Sequence, residues 1–128
     1  VTAVGPVGCP CGSGLAYDEC CGPVVRNERP ADTAEELMRS RYTAYALGDV
    51  DHVFRSWHPA TRPDELDQLP RLDWTGLEIV ETVDGGPGDD HGVVEFRASY
   101  AGGVLHERSR FTRRAGRWVY LDGITSEE

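Results

Sequence analysis

The chain has 128 residues, 39% of them hydrophobic and 27% charged, the make-up of one soluble domain or of a domain with a small appendage. Its apolar runs are only a few residues long, which excludes a membrane-spanning helix. A formal charge of −9, from 13 basic and 22 acidic residues, argues against direct nucleic-acid binding and against a peripheral membrane role.

Cys9, Cys11, Cys20 and Cys21 are the only cysteines, and they fall in one short segment, CPCGSGLAYDECCGP. A disulfide framework spreads its cysteines over the fold it staples, whereas clustering reads as a metal site. Four thiolates suit tetrahedral zinc, and iron is also at home in the same all-sulfur shell. Two disulfides or four free thiols are the alternatives. Pro10, Gly12 and Gly14 supply the sharp turning that Cys9 and Cys11 need to face one ion. Cys20 and Cys21, being adjacent, reach the same ion from a helix end, with Tyr17 as a lid. Arg26 and Arg29 are the nearest positive charges to offset the thiolates. A zinc with four thiolate ligands has no open position, so the site is structural. No apolar core follows a basic leader at the start of the chain, so a cytoplasmic location is expected.

Residues 1–30 carry too few large apolar side chains to fold without a metal or a partner, and residues 31–128 read as a conventional domain. Thr33 with Glu36 three residues on is a capping box. It opens a helix in which Ala34, Leu37, Met38, Tyr42 and Tyr45 share a face, and which ends at Gly48. A second helix is expected from about Asp49 to Trp57, stopped by His58-Pro59, and a third helical turn over Pro63–Leu69. Strands follow over 76–83, 92–100, 104–113 and 117–124. The loop Asp84–Asp90 and two glycine turns separate them, which predicts antiparallel hairpins. Helices followed by a four-stranded meander is an α+β order, with the sheet curling over the helices around a cavity.

Strand alternation places Trp118, Tyr120 and Asp122 on one face. If that face lines the cavity, Asp122 is a buried carboxylate needing a partner such as His58, Arg41 or Arg108. His58 and Asp122 are then candidates for an acid–base pair. The simpler roles, His58 bonding backbone after its helix and Asp122 capping the Asp-Gly turn, carry more weight. Tyr42, Trp57, His58, Arg108, Tyr120 and Asp122 are the candidate pocket residues. Arg39 and Arg41 point about 200° apart on a helix, whereas Arg108 and Arg110 share a strand face. Salt bridges to Glu35, Glu36, Glu95 or Glu107 are their expected use. His52, His91 and His106 fall at surface-prone positions.

The block CPCGSG…YDECCGP resembles the SEC-C metal-binding motif. LMRSRYTAY (Leu37–Tyr45), WHP (Trp57–Pro59), ERSRF (Glu107–Phe111) and WVYLDG (Trp118–Gly123) resemble the YchJ family of small bacterial proteins. The resemblance implies a SEC-C zinc knuckle, with Cys9, Cys11, Cys20 and Cys21 as ligands, followed by an NTF2-like cone of helices packed on a curved four-stranded antiparallel sheet. It also implies an accessory or adaptor role, with a protein or ribonucleoprotein bound through the knuckle. A small-molecule enzyme or ligand binder using the cone pocket is the alternative.

Overall fold

The structure, a computed structural model, describes residues 8–64 and 73–127. Its elements are α1 (Gly22–Val25), α2 (Ala34–Leu47), α3 (Val50–Arg55), β1 (Trp74–Asp84), β2 (His91–Tyr100), β3 (Gly103–Arg114) and β4 (Arg117–Glu127). The strands form one antiparallel sheet in the order β1-β2-β3-β4. This is the α+β meander that the glycine turns predict. The helical turn expected over 63–69 falls mostly outside the described residues, and Pro63 and Asp64 are not helical.

The cap of α2 forms as its sequence requires. Thr33 Oγ1 accepts from Glu36 N at 3.0 Å, and Glu36 reaches back to Asp32 N at 2.7 Å, one residue earlier than in the standard box. A further free N–H of the first turn, from Ala34, donates to Gly85 O at 2.9 Å, so the β1–β2 turn closes over the helix start. Gly85 sits at φ +81°, and a Cβ there would stand 2.8 Å from that of Ala34, so only glycine fits. At the other end Gly48 takes the left-handed cap at φ +76°.

The helix α3 is shorter than the sequence suggests, ending at Arg55. Trp57 leaves the helix because the backbone there bonds to β4 instead. Tyr120 N donates to Ser56 O at 2.7 Å, and His58 N donates to Tyr120 O at 2.8 Å. At the last hairpin, Ala115 and Gly116 both have positive φ, the mirror-image turn that matches strand twist.

Leu37, Met38 and Tyr42 of α2 pack on Val94, Phe96 and Ala98 of β2, Phe111 of β3 and Trp118 of β4. Cys9, Cys11, Cys21, Val24 and Val25 belong to the same apolar cluster. The cysteine segment is therefore built into the wall of the main core. Register shifts in β1, after Trp74 and after Ile79, bend that edge strand over the helix.

Candidate functional site

The four sulfurs are brought together by two short pieces of chain. Cys9 N donates to Leu15 O at 2.7 Å, and Gly8 bridges Ala16, so the segment folds back on itself. Gly12 N donates to Cys9 O at 3.0 Å, a tight turn that returns Cys11 towards Cys9. Gly12 and Gly14 sit at φ +81° and +88°, as the turning argument requires. A 3-10 turn, Tyr17–Glu19, then delivers Cys20, and Cys21 precedes α1.

All four Sγ atoms lie within 4.8 Å of one another. Cys11 and Cys20 are 3.6 Å apart, and Cys20 and Cys21 are 3.9 Å apart. Tetrahedral ligands at about 2.3 Å from an ion stand about 3.8 Å from each other. The donor set thus fits a metal ion, and all four cysteines are free thiols rather than disulfide partners. Cys9, Cys11 and Cys21 are buried and Cys20 is half-buried, so an ion would be shielded on all but one side. Bound there, it would cross-link the turn to α1 without offering a position to substrate.

Hydrogen-bond donors surround the sulfurs. Ser13 Oγ accepts from Leu15 N at 3.1 Å, which leaves its proton free for Cys20 Sγ, 3.1 Å away. Thr43 Oγ1 is 3.7 Å from Cys9 Sγ. The hydrogen bond with the Cys21 thiol, opposed by burial and helped by Ser13 and Cys20, lowers the Cys11 thiol to about 4. The same bond pushes Cys21 up. Negative charge therefore settles first on Cys11.

Arg26 and Arg29 are taken up mainly by carboxylates rather than by the cluster. Arg26 pairs with Asp18 and Glu28, and Arg29 pairs with Glu36, with only a minor electrostatic contribution from Cys20. Arg39 from α2 takes the place expected for them, donating from Nη1 to Cys11 O at 2.9 Å. No spacing rule links a helix residue to a carbonyl 28 positions upstream, so the sequence held no signal for it. Tyr17 packs against the same core beneath the Arg26 guanidinium, 5.6 Å from the ring centre.

A cavity of about 290 Å³ lies between α2 and the sheet. Tyr42, Trp57 and Tyr120 line it, with Met38, Arg41, Tyr45, Trp74, Phe96, Leu105 and Glu107 among their neighbours. His58, Arg108 and Asp122 are not in its wall. A register shift after Arg110 is the reason for Asp122. Phe111 pairs with Tyr120 but Arg110 pairs with Asp122, so Leu121 is an extra residue and alternation breaks. Asp122 therefore joins Arg110 on the outer face, with Arg110 Nε donating to it at 2.7 Å. That bond, opposed by burial, holds the Asp122 carboxyl below its ordinary value. Arg108 bonds Glu81 and Glu95. His58 Nδ1 accepts from Ala60 N at 3.0 Å, capping the turn after α3. The pair proposed for acid–base work is thus not assembled.

Among the arginines, Arg39 pairs with Glu35 and Arg108 with Glu95, in line with the expected salt bridges, whereas Glu36 pairs with Arg29 instead. Glu107 departs from that pattern, accepting from Ser109 Oγ and from Tyr120 OH. His52 is a correction to the surface assignments. It is 3% exposed, because α3 turns it against α2, where Nε2 meets Ser40 Oγ at 2.9 Å. His106 lies beside Glu95 at 2.6 Å.

A second, more open cleft of about 340 Å³ runs between α1, α3 and the β3–β4 turn. Arg29, Arg55, Arg62, Arg114 and Arg117 line it, and no acidic residue does so among the described residues. Arg29 and Arg55 are paired with Glu36 and Asp51, so the positive character of this cleft rests on Arg62, Arg114 and Arg117, which have no ion pair among the described residues.

These features define a small α+β protein with a four-cysteine centre set into an NTF2-like domain. Residues 8–23 match the SEC-C motif, and residues 33–123 match the family described as YchJ, middle NTF2-like domain. The chain belongs to this YchJ family, and the relatives it matches bear the name UPF0225. It is 55% identical to a UPF0225 protein of Streptomyces coelicolor over 90% of this chain and 93% of that one. It is 53% identical to a UPF0225 protein of Deinococcus radiodurans, over 89% of this chain and 86% of that one. Among solved structures it is similar to a SEC-C motif containing protein from Rhodopseudomonas palustris. There the TM-score is 0.74 and the identity 36%, over 94% of this chain and all of that one. A second, from Psychrobacter arcticus, has a TM-score of 0.69 and 30% identity, over 94% of this chain and 83% of that one. No helix among the described residues is long and apolar enough to cross a membrane.

Proposed function

We propose that the protein is a zinc-binding accessory or adaptor protein of the bacterial cytoplasm, whose knuckle both braces the domain and presents a partner-binding surface. The observation that carries this reading is the convergence of four free, mostly buried cysteine sulfurs within 4.8 Å. Zinc is favoured over iron because it needs only tetrahedral thiolates and has no redox state to protect. Free thiols in this number fit a reducing compartment. The arginine-lined cleft borders α1 immediately after the knuckle, so the partner surface is acidic, on a protein or a ribonucleoprotein.

The test is elemental mass spectrometry of protein purified without added metal, beside a count of reactive thiols. One equivalent of zinc with protected thiols supports the reading. One equivalent of iron moves it towards redox chemistry, and two disulfides without metal overturn it. Partner capture by the intact protein, lost on charge reversal of Arg114 and Arg117, tests the adaptor half separately.

A further inference from the structure

Arg41 is 4% exposed, and no carboxylate pairs with it among the described residues. Its Nη1 is used twice, donating to Val53 O at 3.1 Å and to Ser56 Oγ at 2.7 Å. Its Nε and Nη2 have no protein partner among the described residues. The guanidinium lies 4.5 Å from the Tyr120 ring centre and 5.0 Å from that of Trp57. Such ring contacts offset part of the cost of burying a charge but supply no hydrogen-bond acceptor. Neither nitrogen is among the fully enclosed polar atoms without a partner, so this edge of a buried cation opens on the cavity, where a ligand or water can satisfy it.

That edge is the pair of parallel N–H groups that grips a carboxylate with two bonds. Arg41 lines the 290 Å³ cavity, whose other walls include Trp57, Trp74, Phe96 and Leu105. An occupant therefore needs a flat, apolar body behind its acid group. Glu107 lines the same cavity, with Oε2 already accepting from Ser109 and Tyr120. Its charge reaches Arg41 across the cavity, so the site has room for one added acid group and not two, and its Oε1 can accept a hydroxyl or N–H from the far end of the ligand.

We propose that this cavity is a binding site for a small aromatic monocarboxylate, its acid group held by Arg41 and its ring between the aromatic walls. The site stands apart from the cysteine cluster and does not rest on the metal reading.

The test is calorimetric titration of the full, metal-loaded chain with indole-3-acetate and 4-hydroxyphenylacetate, each beside its primary amide. At least one acid should bind, and its amide at least tenfold more weakly. Arg41→Met should lose tenfold or more while its circular dichroism stays unchanged. Leu105→Trp, which fills the cavity and leaves Arg41 in place, should abolish binding. The indole N–H resonances of Trp57 and Trp74 should shift on titration. Equal binding of acid and amide overturns the proposal, as does failure of both acids to bind at millimolar concentration. Resonance shifts confined to Arg114 and Arg117 overturn it too. If Arg41→Met does not fold, the acid–amide comparison and Leu105→Trp still decide.

Discussion

Arg39 Nη1 donates to the carbonyl oxygen of Cys11 at 2.9 Å while its Nε holds Glu35 at 2.9 Å, so one side chain ties α2 to the cysteine turn. Burial works against the Arg39 charge, but Glu35 and Cys11 more than offset it, and its pKa lies above the ordinary value. Arg39→Met keeps the apolar stem and removes the donor, leaving the Cys11 carbonyl without its partner. The expected cost is about 1–3 kcal/mol, in line with losing a charged hydrogen bond. Thermal denaturation and the rate of metal transfer to a chelator should both respond, with a lower Tm and faster transfer. Wild-type values for both would remove Arg39 from any role in holding the turn.

The cysteines share one apolar cluster with Leu37, Met38, Phe111 and Trp118, so removing the proposed metal should be felt through the whole domain. Binding energy that depends on a folded site is folding energy. Cys11→Ser, at a position with no exposure, should lower stability by more than ~3 kcal/mol as a single cooperative transition. Cys20→Ser should lose the metal as completely but disturb the metal-free protein less, because Cys20 is only half-buried. Denaturant unfolding with and without chelator separates the two effects.

His52 supplies a pH dependence of definite sign. Ser40 Oγ donates to Leu37 O at 2.7 Å, so it accepts from His52 Nε2, and the proton sits on Nε2. Nδ1 is then a buried acceptor without a donor. Burial first, then the charges of Arg55 and Arg41, lower the His52 pKa to about 4, against weaker opposition from Asp49 and Asp51. The unfolded chain takes up this proton near pH 6.5 and the folded chain only near 4. The stabilisation is therefore intact above pH 6.5, is lost as the pH falls towards 4, and is level below that. The full loss is roughly 3 kcal/mol at one kcal-scale step per pH unit. His52→Gln should be flatter than wild type across that window in urea-unfolding curves, and parallel slopes would refute the assignment.

What the sequence revealed follows how local each signal is. The α2 cap needs only Thr33 and Glu36, and the β3–β4 turn only Ala115-Gly116, so both are readable by eye. The four-cysteine cluster is likewise legible, since its ligands are close in the chain. The cavity was read less well. Tyr42, Trp57 and Tyr120 line it, but a helix position does not reveal whether a carboxylate faces Arg41, so salt bridging is the natural expectation for it from sequence. The face of Asp122 was misjudged because a one-residue bulge reverses alternation and leaves no mark in composition. His52 looked exposed because its burial is set by the crossing of α3 on α2, a tertiary relation that α3 alone does not encode.

The outer-face position of Asp122 makes a prediction opposite to that for a catalytic carboxylate. Arg110 and Asp122 are 62% and 44% exposed, and exposed pairs contribute about 0–1 kcal/mol. Asp122→Asn should therefore shift the unfolding midpoint little, and His58→Ala should act only through its cap on Ala60. Neither change should alter carboxylate binding in the cavity, because neither residue belongs to its wall. The double variant should equal the sum of the single ones, since groups without a shared partner are additive within about 0.5 kcal/mol. A marked coupling between His58 and Asp122 in such a cycle would restore them as a functional pair and require the register of β4 to be redrawn.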